Sequence, residues 1–114
     1  MSYFTINSEI KSVRSPDNLD KDSTRKTLIS WGDKVQLCEY FDKKGATSRR
    51  HKHPQDMIDY VVSGKTKITV GNETKILGSG DSAYVPGNIE HEGVYLEDTV
   101  MICVFIPPRE EYKY

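Results

Sequence analysis

Of the 114 residues, three are histidines, and two of them, His51 and His53, are separated by a single residue. On an extended strand, residues i and i+2 point to the same face, so His51 and His53 project side by side. Paired imidazoles suit first-row divalent metals. Three such ligands with open positions make a catalytic rather than a closed structural site. His91 is the only histidine left to supply the third, from a later strand. A His-x-His pair also arises through packing alone, so the elements around it must decide.

Those elements read as closely spaced strands. "KVQLCEYF", "DMIDYVVSG", "KTKITVGNETKIL", "SAYVP", "EGVYL" and "TVMICVFIP" are short runs rich in Val, Ile, Tyr and Thr, divided by Gly, Pro, Asn and Asp. No helical stripe competes with them. Within "TVGNET", Gly71-Asn72 is a pair able to take the positive φ that a tight hairpin turn requires. Short strands at this spacing predict an all-β sandwich or barrel. The expected organisation of residues 1–114 is a single domain: an N-terminal strand and polar arm over 1–30, a barrel core over 31–107 and a tail over 108–114. The arm includes "KSVRSPDNLDKDSTRKTL", which has no sustained apolar period.

With 16 Lys and Arg against 17 Asp and Glu, the net charge of -1 announces no basic face for nucleic acid or anionic lipid. "MSYFTINSEIKSV" carries charge where a signal peptide needs an apolar run, and no segment approaches the roughly 18 apolar residues of a membrane span. The expectation is a cytoplasmic protein with no membrane or nucleic-acid partner. Cys38 and Cys103, too few and too far apart in sequence for a disulfide framework or a zinc knuckle, read as buried thiols.

Spacing around the histidines carries a resemblance. Gly45 lies six residues before His51, Gly64 lies eleven after His53, and "GDSAYVPGNIEH" sets Gly80, Pro86 and His91 at a second series of offsets. The chain resembles a small single-domain cupin of the RmlC-like kind. Cupins carry one motif of G, five residues, HxH, three or four residues, Glu, six residues, G, and another of G, five residues, PxG, two residues, H. "PGN" replaces PxG, so Gly87 and Asn88 share a turn that both tolerate. The resemblance implies a double-stranded β-helix, or jelly-roll barrel, with His51, His53 and His91 as ligands of a divalent transition metal (Zn, Fe, Mn, Ni or Cu). It also implies a homodimer.

Met57 occupies the usual fourth-ligand position, where the family has Glu or Gln. A thioether favours soft ions, so Met57 either ligates one or fills the barrel wall while three histidines hold the metal. Losing an anionic ligand lowers affinity but leaves the ion less neutralised and a stronger Lewis acid. In a regular strand Asp59 shares the face of Met57, as a general base or, in another register, a solvent-facing residue.

Within the cupins, "HPQDMIDYVVSGK" and "ICVFIPPRE" are similar to the small pectin-degradation cupins that process unsaturated uronates. Val104, Phe105, Pro107, Arg109 and Glu110 match their closing strand. Cys103 stands where those proteins carry the acid used for proton transfer. It is a candidate catalytic thiol if a cation lowers its pKa, and otherwise an inert core residue. Alternation puts Met101, Cys103 and Phe105 on one face. Met101, Phe105 and Arg109 are then candidate substrate contacts, together with Arg49, which shares parity with His51, and Tyr60, which could hydrogen-bond a ligand or form wall. The expected function is a metal-binding cupin acting on a small polar metabolite, a sugar acid or carbonyl compound, by isomerase-like or lyase-like proton transfer. The alternatives are a binding module without turnover and a metal-dependent dioxygenase.

Overall fold

The computed structural model describes residues 3–9 and 30–110. The polar arm at Lys11 to Leu28 and the end of the tail, 111–114, lie outside the described residues. Among the described residues, a three-residue 3₁₀ turn, Asn7–Glu9, precedes nine strands: β1 Ser30–Trp31, β2 Gln36–Asp42, β3 Thr47–His51, β4 Asp56–Ser63, β5 Lys65–Val70, β6 Glu73–Gly78, β7 Ser82–Val85, β8 His91–Tyr95 and β9 Thr99–Ile106. They form two antiparallel sheets, ordered β1-β2-β9-β4-β7 and β3-β8-β5-β6. From β2 to β5, successive strands alternate between the sheets, and β9 returns to lie between β2 and β4. This is the jelly roll.

Period-two patterning explains which faces meet. In β4 the odd positions Met57, Asp59 and Val61 are buried, while Ile58, Tyr60 and Val62 are exposed. β2 and β9 repeat the pattern, turning Cys38 and Tyr40, and Met101, Cys103 and Phe105, toward the facing sheet. The inward rows therefore stack across the larger sheet: Gln36–Phe105–Met57–Val85, then Cys38–Cys103–Asp59–Ala83, then Tyr40–Met101–Val61. A polar residue inside each of the first two rows marks where the core gives way to a site.

The β5–β6 hairpin turns on Gly71 and Asn72, with Val70 paired to Glu73. Gly71 has φ 59° and carries the positive φ alone, as in a type II′ turn. No described helix is long and apolar enough to cross a membrane.

Candidate metal centre

His51 closes β3, His91 opens β8, and the two are paired directly across the smaller sheet. His53 lies just past the end of β3, not within it, because Pro54 offers no N–H to continue a ladder. Its place is fixed instead by the turn before β8. Asn88 donates its N–H to the His53 carbonyl at 2.7 Å, and the Gly87 N–H binds Asp56 Oδ1 at 2.8 Å. A Cβ on Gly87 would stand 2.3 Å from the Pro54 carbonyl oxygen, so only glycine allows this approach. Asn88, at φ 64°, supplies the left-handed residue of the same turn.

The three imidazoles converge. Their ligand atoms lie within 4.8 Å of one another, and ring centroids are separated by 4.3 to 5.8 Å. Each Nδ1 faces a backbone carbonyl: Arg49 for His51 at 2.6 Å, Gln55 for His53 at 3.1 Å and Ile89 for His91 at 2.9 Å. A carbonyl can only accept, so each Nδ1 carries a proton and Nε2 is left as the ring nitrogen open to a ligand. The Nε2 of His53 is buried with no hydrogen-bond partner among the described residues. Burial pushes the His53 pKa down to about 4, and the positive charge of Arg109 and then of His91 adds to the shift. A neutral ring with a bare, buried Nε2 is the donor that a divalent ion requires, and this cluster could hold one.

The surrounding cavity offers about 50 Å³ to water-sized atoms, enough for an ion with a few waters. Met57, Asp59, Met101, Phe105 and Arg109 line it with the histidines. The edge of Phe105 meets His53 at 5.6 Å between centroids, and the Arg109 guanidinium sits 5.5 Å from the centre of the Phe105 ring. Arg109 is 6% exposed. Its main chain is held at both polar atoms by buried Gln36, which accepts from the Arg109 N–H at 3.0 Å and donates to its carbonyl at 3.3 Å. Gln36 was not anticipated from sequence. The signal was present, because a polar residue at the parity of Cys38 and Tyr40 must face inward.

Three expected site residues lie elsewhere. Arg49 is on the outer face, in a groove with Lys67 and Thr69. A bulge explains it: Ser48 pairs with Gly93 and His51 with His91, so three steps on β3 match two on β8 and Arg49 loses the parity of His51. Tyr60 is 45% exposed on the outer face of β4, opposite to Asp59. Cys103 faces inward, but it belongs to the buried core and does not line the cavity. The wall at that level is its cross-strand neighbour Asp59.

Comparison with known proteins matches this geometry. Residues 39–107 match the family described as cupin domain. The pectin degradation protein KdgF of Dickeya dadantii (strain 3937) is 34% identical over 94 residues, covering 80% of this chain and 84% of that protein. A solved structure of KdgF from Halomonas sp. superposes with a TM-score of 0.84 at 27% identity, covering 96% of this chain and 99% of that one. An RmlC-like cupin from Shewanella frigidimarina NCIMB 400 superposes with a TM-score of 0.85 at 24% identity, covering 99% and 97%, which speaks to the fold alone. With its jelly roll, its convergent histidines and a sequence match across most of the barrel, the chain belongs to the cupin family.

Proposed function

We propose that this cupin is a metal-dependent enzyme that moves a proton on a small carboxylated metabolite, a sugar acid of the unsaturated uronate class. The observation that carries this reading is the convergence of three histidines, each held through Nδ1 by a main-chain carbonyl, and a buried arginine on one small cavity. A divalent transition ion held by His51, His53 and His91 supplies Lewis-acid polarisation of a substrate oxygen. Arg109 presents a planar fork suited to a carboxylate and is kept in place by Gln36 and Phe105. Asp59, buried in the same wall, takes up and returns the proton. Met57, Met101 and Phe105 make the apolar lining that excludes water. The likeness to a pectin degradation protein supports the substrate class.

Binding without turnover is the second reading, and one observation favours it. Cys103, at the position where the pectin-degradation cupins are expected to carry their acid, is 1% exposed and sits in the core.

Elemental analysis of protein purified without chelators, alongside turnover of an unsaturated uronate followed by loss of its ultraviolet absorbance, separates the two. The enzyme reading expects near-stoichiometric metal and measurable turnover, both lost in His91→Ala. Recovery of unaltered uronate after long incubation with metal-loaded protein would overturn it. Oxygen uptake with Fe(II) and the same compounds would redirect it to oxidation. The cytoplasm remains the expected location. The expected homodimer is supported by the outer face of the larger sheet, where Ile58, Tyr60, Val62, Tyr84 and Ile106 are all exposed.

A further inference from the structure

The only two cysteines of the chain stand opposite each other in the β2–β9 ladder, Cys38 against Cys103. Both are thiols, both are at most 1% exposed, and both point to the inner face of the same sheet. Directly opposed residues on antiparallel strands have Cα atoms about 4.5 to 5.5 Å apart. A disulfide requires about 4.4 to 6.8 Å. The backbone already holds the two residues at bonding separation, so closure asks for side-chain rotation and little strand movement. We propose that Cys38 and Cys103 form an oxidation-triggered disulfide site that clamps β2 to β9 behind the histidine cavity.

Both thiols are buried in the β2–β9 ladder, so a local opening of that ladder is what admits a small oxidant to them. With hydrogen peroxide as oxidant, one thiol is converted to a sulfenic acid with release of one water. The second thiol then displaces the sulfenic oxygen as a second water and forms the S–S bond. Two thiols lose two protons and two electrons, and one peroxide is reduced to two waters. The closed bond would span most of the described barrel in sequence and join the strand that carries Met101 and Phe105 to its neighbour. Asp59, the other cross-strand partner of Cys103, lines the cavity. The redox state of the pair therefore reaches the cavity wall. This inference stands independently of the proposed catalytic activity.

The test is intact mass and peptide mapping of the full chain before and after treatment with a few equivalents of hydrogen peroxide. The expected result is a loss of two hydrogens, a peptide joining Cys38 to Cys103, full reversal by dithiothreitol and a melting temperature raised by roughly 5 °C or more. Cys38→Ser and Cys103→Ser should each lack the two-hydrogen loss. If either variant fails to fold, mapping of the native sequence decides alone. Oxygen addition to single thiols without a joined peptide would overturn the proposal. So would two thiols still open to maleimide labelling after oxidation and unfolding.

Discussion

Each site histidine has its Nδ1 tied to the main chain, so the orientation of each ring is set by the fold. Removing a single imidazole leaves only two histidine donors, and His53→Ala is expected to lower metal stoichiometry to near zero while far-ultraviolet circular dichroism keeps its strand signal. The depressed pKa of His53 has a consequence of definite sign. An unfolded chain protonates this ring near 6.5, whereas the folded one does so near 4. Between those values the unfolded state binds more protons, so the contribution is complete above pH 6.5 and is lost as pH falls toward 4. At about 1.4 kcal/mol per unit, the loss is about 3 kcal/mol. Urea denaturation of the metal-free protein at pH 7 and pH 4.5 should show it, and His53→Gln should reduce the difference between the two pH values. Asp59→Asn tests the proposed proton carrier. It should retain metal and lower turnover of an unsaturated uronate by about 100-fold or more, in steady-state kinetics beside elemental analysis.

At the level of the element, two loops and a bulge position the imidazoles. Gly87→Ala forces a Cβ against the Pro54 carbonyl, and the turn that anchors His53 must move. The expected outcome is a loss of stability of about 1 to 3 kcal/mol and weaker metal binding, read by thermal melts and by metal titration. Asn88→Gly, at φ 64°, should be nearly silent in both. The strands themselves were legible in sequence. β4, β7 and β9 fall where alternation and the flanking Gly and Pro put them, because one face of each is packed and the other is not. The bulge in β3 was not legible. Nothing in "TSRRH" distinguishes a regular strand from one with an extra residue, since the extra residue is set by its pairing with β8. The extra residue turns Arg49 to the outer face, and His53 reaches the cavity from beyond the end of β3 and not from the strand position expected for it.

For the molecule as a whole, the jelly roll follows from strand spacing together with the two glycine-punctuated histidine motifs. The role of Gln36 depends on a contact 73 positions away in sequence, with Arg109, and parity alone could say only that Gln36 turns inward. The exposed apolar side chains on the outer face of the larger sheet carry the expectation of self-association. Sedimentation velocity should find a dimer, and Ile58→Lys should shift it to monomer with the fold intact. The hydrogen bonds that set the histidine tautomers have a different reach. Their acceptors are carbonyls of the main chain, which every amino acid possesses. Arg49 and Ile89 are exposed and hold their neighbouring imidazoles through atoms that no substitution deletes. These two positions are therefore free to drift, and a lineage could change the outer surface beside the histidines while the orientation of the rings is inherited unchanged.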